Sequence, residues 1–170
     1  MKRIYSLFLL PEDSVNEKYQ KIISDISSSY LTQKFKPHIT LIKNLELEEK
    51  EVFLLTNELI KLLEPIKTKL IEFGYSDKIY RSLYISVLKT PDLIQAHNRA
   101  NKIFGHEEEF FMPHLSIVYG ELLLVDKLKI IKSLKPLNKE FFILDKLAIY
   151  DITEKNADLW KEVGCYELNL

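Results

Sequence analysis

Two short segments carry the residues best suited to chemistry: Pro37-His38-Ile39-Thr40 and Pro113-His114-Leu115-Ser116. Each sets a hydroxyl two residues after a histidine. In a strand, positions i and i+2 share a face, so His38 projects beside Thr40 and His114 beside Ser116. The interleaved Ile39, Leu41, Leu115 and Ile117 are apolar and are expected to pack against helices. Imidazole titrates near pH 6.5, so near neutrality one ring can accept a proton while another donates one. Hydroxyls and a protonated imidazole bind non-bridging phosphate oxygens and steady developing charge. In-line displacement at a phosphodiester wants a base on one side and an acid on the other, and two such motifs supply both without a metal. A zinc site is the competing chemistry, but histidine pairs usually bind zinc with a third histidine or a carboxylate. No HxxxH or HxH spacing occurs, and no carboxylate lies near either motif in sequence. Serine nucleophile catalysis has less support, because there is no Gly-x-Ser-x-Gly elbow.

The surrounding pattern must bring these segments together. Ile4–Leu10 reads as a strand, and Ser14 with Glu17 has the spacing of a capping box opening a helix whose apolar stripe includes Val15, Tyr19, Ile22, Ile23 and Ile26. His38–Ile42 reads as strand, Glu48–Glu64 as helix and Ile66–Tyr75 as strand. The second half runs in the same order. Tyr80–Leu88 reads as strand; Thr90 and Pro91 open a helix that Gly105 closes; His114–Tyr119 reads as strand. A helical stripe from Val125 to Leu134 and strands at 141–151 and 160–168 complete it. Overlaid at an offset of 76, strand falls on strand and helix on helix. Phe35-Lys36-Pro37-His38-Ile39-Thr40 then aligns with Phe111-Met112-Pro113-His114-Leu115-Ser116, and Ser6-Leu7-Phe8 with Ser82-Leu83-Tyr84. This is an internal duplication. It predicts one bilobal domain over 1–170, with lobes of about 1–76 and 77–170 packed around a pseudo-two-fold axis.

The chain has 170 residues, 46% hydrophobic and 29% charged, enough apolar material for a core. Its net charge of −1 offers no global field for a polyanion and argues against duplex DNA. The apolar run after Met1-Lys2-Arg3 is too short for a signal peptide, and no stretch is long enough to span a membrane. The lone Cys165 rules out an intrachain disulfide and CxxC metal knuckles, and reads as a small buried hydrophobe. The expectation is a soluble, cytoplasmic monomer without membrane association.

At this point the sequence resembles the two-histidine phosphoesterase superfamily, which contains the LigT-like RNA phosphodiesterases. Pro-His-Leu-Ser-Ile-Val-Tyr-Gly at 113–120 and Tyr-Ser-Leu-Phe-Leu-Leu-Pro at 5–11 are most similar to its plant and yeast cyclic phosphodiesterase branch. The resemblance implies an α+β, bilobal, duplicated fold in which two mainly antiparallel sheets face a central cleft, helices outside. It implies that His38 and His114 are the acid/base pair, that Thr40 and Ser116 bind phosphate, and that Tyr119 contacts substrate. Phe8 stands where the plant enzymes carry a tryptophan lining the base pocket, so an aromatic platform is kept while the indole N–H is lost. Its repeat equivalent Tyr84 is a candidate second wall, with an ordinary core aromatic as the competing reading.

The implied activity is hydrolysis of cyclic phosphates on small nucleotides or RNA 3′ ends, of the 2′,3′-cyclic or ADP-ribose 1″,2″-cyclic type, with no metal or other cofactor. Two alternatives stay open: a phosphodiesterase degrading 2′-5′ or cyclic oligonucleotide signals, and a catalytically silent module binding nucleotides or RNA ends. Which histidine is base stays open too. Lys36 and Lys43 flank the first motif as candidate sources of positive potential. Arg81 reads as a solvated strand-edge charge, with a phosphate contact as the alternative. His97 reads as a half-buried structural residue, and His106 with Glu107–Glu109 as a solvated charge run.

Overall fold

In the computed structural model, residues 3–106, 110–134, 136, 139 and 141–168 are described; Glu107–Glu109, part of the charge run anticipated after His106, lie outside them. Among the described residues eight strands and four α-helices follow one another as β1 (Tyr5–Pro11), α1 (Asp13–Tyr30), β2 (Ile39–Leu45), α2 (Glu49–Ile60), β3 (Ile66–Thr68), β4 (Leu70–Tyr75), β5 (Leu83–Val87), α3 (Pro91–Phe104), β6 (His114–Val118), α4 (Leu124–Ser133), β7 (Phe142–Asp151) and β8 (Lys161–Glu167). The fold is α+β, and every strand pairing is antiparallel.

Strand β1 is buried on both faces. All seven of its residues are buried. Tyr5, Leu7 and Leu9 join the main core with Ile39, Leu41, Leu115 and Ile117. The alternate residues Phe8 and Leu10 pack on the opposite face with Ala148 and Tyr150, against Ile152 and Trp160. Period-two alternation thus divides one strand between two apolar environments. Helix α1 packs against β6 and α3 against β2, so each repeat's first helix covers the other repeat's motif strand.

The sheet runs β3-β7-β1-β2-β6-β5-β4, with β8 added to β7. The two expected sheets are therefore halves of one sheet, joined by the single pairing of Ile39 with Leu115. The halves also exchange strands. β4, from the first repeat, pairs with β5, and β7, from the second, pairs with β1. Spatial halves and sequence halves thus differ, and Gly74 and Tyr75 at the anticipated boundary are hydrogen-bonded into the second half. The expected strand 66–75 divides at Lys69 to make this exchange. Its two parts serve opposite ends of the sheet, and the crossing is held where the Leu88 amide donates to the Lys69 carbonyl and the Thr68 hydroxyl to that of Leu88.

The start and stop signals read for α3 are all present. Thr90 caps α3 by accepting the Leu93 amide, Pro91 begins the helix, and Gly105 closes it at φ 59°. The Ser14/Glu17 capping box does not form. Helix α1 starts two residues earlier, with Glu12 at its N-cap and no side-chain cap. The Glu12 carboxylate instead accepts the amide of Ile143. The expected strand from Tyr80 starts at Leu83, because Ile79–Arg81 forms a turn of 3₁₀ helix. Cys165 is exposed rather than buried. Val163, at the register shift of β8, and Tyr166 both pack on the core; among the described residues β8 pairs with β7, and Cys165 beside Tyr166 points the other way.

Helix α1 ends on Leu31 in the left-handed conformation, φ 55°, with its side chain 92% exposed. A β-carbon is disfavoured there and glycine is not. Leu31→Gly should stabilise the protein by roughly 1 kcal/mol, read as a higher urea midpoint at unchanged m-value.

Candidate active site

The pairing that joins the halves also places the motifs. Ile39 and Leu115 are equivalents at the 76-residue offset, so the pseudo-two-fold axis passes through their pair. Extending that antiparallel register by one residue each way sets His38 opposite Ser116 and Thr40 opposite His114. Ile39 and Leu115 point into the main core, so the four polar residues share the opposite face. On neighbouring strands the symmetry continues, with Phe8 opposite Thr40 and Tyr84 opposite Ser116.

Each histidine is oriented by the backbone just before it. His38 Nδ1 lies 2.6 Å from the Lys36 carbonyl oxygen, and His114 Nδ1 lies 2.8 Å from that of Met112. A carbonyl can only accept, so Nδ1 carries the proton in both rings and Nε2 is the free acid/base atom. The prolines between, Pro37 and Pro113, keep the preceding residue extended and supply no competing N–H. Burial, opposed in part by the bond to Lys36, lowers His38 to a pKa of about 4, with the charge of His114 adding to the depression. His114 is lowered as well, first by burial and then by the positive charges of Arg81 and Lys43. Both rings are therefore neutral near pH 7 in the free protein.

The two sides of the axis differ in what surrounds them. Phe8 stacks on the His38 ring at 3.7 Å and 14°, and is only 3% exposed. It supports the imidazole and has no open face for a base. The Tyr119 hydroxyl lies 3.2 Å from His38 Nε2 and donates to it. Burial, the leading cause, pushes this phenol well above its ordinary range and keeps it a proton donor. Its ring stacks on Phe35 at 3.7 Å. On the other side, Tyr84 meets the half-buried His114 edge-on at 5.4 Å. Tyr84 lies over Gly74, where a β-carbon would come within 2.4 Å of its ring, so the cross-strand glycine makes room for it. Ser116 donates to the Tyr80 carbonyl at 3.2 Å, and Thr40 is half-buried.

Two neighbours were not assigned to the site from sequence, and a third was read first as a solvated charge. Tyr80 and Trp160 stand 5.4 Å apart and reach Tyr119 at 5.5 and 5.7 Å. The Tyr80 hydroxyl donates to the Lys155 carbonyl, and the Trp160 indole to that of Glu154. Lys36, flagged for its potential, is paired with Glu162 at 3.3 Å, and the Tyr150 hydroxyl donates to the same carboxylate. No spacing rule connects residues 80 and 160 to 38; only the exchanged strands do. Arg81 is the third neighbour, the same residue that lowers His114. His97 is structural as expected, though buried: its Nδ1 donates to the Leu41 carbonyl, Nε2 accepts from Asn101, and the ring stacks on Phe111. Among the described residues no group of three or more His, Cys, Asp or Glu side chains stands together as a metal site.

Two histidine-hydroxyl pairs on the central strands of a duplicated antiparallel sheet define a two-histidine phosphoesterase of the LigT-like kind. The profile of cyclic phosphodiesterase-like proteins matches residues 3–143, and the chain belongs to that family. It is similar to the cyclic phosphodiesterase of Arabidopsis thaliana, 22% identical over 99% of this chain and 97% of that one. A putative phosphoesterase of Staphylococcus epidermidis is 26% identical over 69% of this chain and 71% of its own. Among solved structures, Escherichia coli LigT complexed with 3′-AMP superposes with a TM-score of 0.62 at 12% identity, covering 100% of both chains. No helix among the described residues is long and apolar enough to cross a membrane.

Proposed function

We propose that this phosphodiesterase hydrolyses cyclic phosphates on small nucleotides or RNA 3′ ends by acid/base catalysis between His38 and His114. The observation that carries the reading is the matched Nδ1–H···O=C bond on both rings, which leaves two Nε2 atoms on one face beside two hydroxyls. His38, the ring whose pKa is depressed to about 4, is the base. Its Nε2 takes a proton from water as the water oxygen forms the new bond to phosphorus. His114, protonated once a phosphate anion offsets its positive neighbours, gives its Nε2 proton to the departing ribose oxygen as the P–O bond breaks. Thr40 and Ser116 steady the non-bridging oxygens. Tyr119 releases His38 when substrate enters and donates to a phosphoryl oxygen instead. The nucleobase stacks on the Tyr80–Trp160 wall rather than on the covered Phe8. LigT supports a nucleotide-sized ligand, having been solved with 3′-AMP, ATP and NADP+.

The direct test is incubation with adenosine 2′,3′-cyclic phosphate in EDTA, resolving the 2′- from the 3′-monophosphate. Metal-free turnover to a single isomer is expected, and the isomer names the leaving oxygen. Turnover that requires added metal, or binding without turnover of this or any 2′-5′ or cyclic oligonucleotide, would refute the reading.

A further inference from the structure

The symmetry of the site fails in several places, Arg81 among them. Both histidines, both hydroxyls and both flanking aromatics, Phe8 and Tyr84, have counterparts at the 76-residue offset. Arg81 falls instead on Tyr5, which is fully buried with its hydroxyl on Glu49. The paired groups suffice for displacement at one phosphorus, so the unpaired cation is available to a part of the substrate beyond it. Arg81 is held next to His114 by two contacts. Its guanidinium lies over the Tyr84 ring at 5.6 Å, and Nη1 donates to the Met112 sulfur at 3.4 Å. Tyr84 and Met112 are the same two residues that contact the His114 ring.

These contacts position the guanidinium without neutralising it. A thioether is a weak acceptor and an aromatic face carries no formal charge. Among the described residues no carboxylate pairs with Arg81. Its Nε and the adjacent Ser82 hydroxyl are both buried without a hydrogen-bond partner, in a fold where buried polar atoms normally have one. A half-buried arginine with no carboxylate partner beside a reaction centre fits an anionic oxygen group, which it can hold by charge-assisted hydrogen bonds. The side chains around His38 are mainly aromatic, whereas those around His114 include this cation. A substrate with a base at one end and an extra negative charge at the other therefore has one preferred orientation.

Resting on the proposed function, we infer that Arg81 recognises a second phosphate of the substrate, distinct from the scissile one, and so favours nucleotides bearing two phosphate groups over nucleosides bearing only the cyclic phosphate. An anion there also offsets the positive potential that depresses His114, which suits that ring to act as acid.

The test compares adenosine 2′,3′-cyclic phosphate with its 5′-phosphorylated form, in wild type, Arg81→Met and Arg81→Lys. Wild type should prefer the 5′-phosphorylated substrate by about tenfold or more in kcat/KM, mostly through KM. The ratio should fall toward one in Arg81→Met and be partly restored in Arg81→Lys, with thermal melts confirming that both variants fold. No preference in wild type, or an equal loss of kcat on both substrates in Arg81→Met, overturns the inference; the second result would put Arg81 at the scissile phosphorus. Calorimetric binding of adenosine 3′,5′-bisphosphate against adenosine 3′-phosphate reads the same preference without turnover. If neither cyclic substrate is hydrolysed, the proposed function fails. The Arg81 inference then stands or falls on whether the bisphosphate binds wild type more tightly and Arg81→Met does not.

Discussion

Replacing His38 or His114 by alanine should lower turnover of a cyclic phosphate substrate by about 10³-fold, within the 10²–10⁴ range that a positioned acid or base supplies. Each ring is held by one carbonyl and presents one nitrogen, so neither can stand in for the other. The double variant should be little worse than either single one, because the two act on the same displacement. KM should change much less than kcat for His38→Ala, since that ring is buried beneath Phe8 and Tyr119. The check is steady-state kinetics with thermal melts of each variant. His38→Gln is the companion where alanine leaves a destabilising cavity. Retention of more than a tenth of wild-type kcat in either folded histidine variant would remove that residue from the acid/base pair.

The second large effect is on stability in acid. His38 is held neutral in the fold, with a pKa of about 4, whereas an unfolded histidine titrates near 6.5. Between those values the unfolded chain binds a proton that the folded chain does not. Stability from this residue is therefore fully present above pH 6.5 and declines as pH falls towards 4. The full difference amounts to about 3 kcal/mol, a large share of the 5–15 kcal/mol typical of a domain. His114 is displaced in the same direction and adds to the slope. Urea unfolding at pH 7, 5.5 and 4 measures it. The His38→Gln protein should lose markedly less stability over that range than wild type, with carboxylate effects common to both cancelling in the comparison. Parallel pH slopes would show that His38 is not buried as a neutral ring.

The same burial shapes the pH–rate profile. With His38 as base, the rising limb of kcat/KM reflects its free-protein pKa and should lie well below pH 6. The falling limb belongs to His114, the acid; with an anion on the Arg81 side it should lie higher in kcat, which reports the substrate complex, than in kcat/KM, which reports the free protein.

What was legible in the sequence was whatever depends on neighbours along the chain. The His-x-Thr and His-x-Ser spacing fixes which side chains share a face. The 76-residue repeat pairs the motifs, and Thr90, Pro91 and Gly105 punctuate α3 as they stand. These need only strand parity or one helical turn, and they sufficed to nominate His38, Thr40, His114 and Ser116. The Ser14/Glu17 box shows the limit even locally: the helix begins ahead of Ser14, at Glu12, whose amide and carboxylate both bond to the backbone of Ile143 in β7.

Tertiary structure alone decided the rest. Whether two sheets stay separate depends on one long-range pairing, Ile39 with Leu115, and that pairing also sets each histidine opposite the other motif's hydroxyl. Which half a strand joins depends on hydrogen bonds across the sheet, so β4 and β7 change sides without any mark in their own sequence. Phe8 and Tyr84 are equivalents in sequence, yet Phe8 lies flat beneath a buried imidazole while Tyr84 stands edge-on under a guanidinium. A duplicated sequence specifies two similar half-sites; the packing around them breaks the symmetry and assigns each histidine its surroundings.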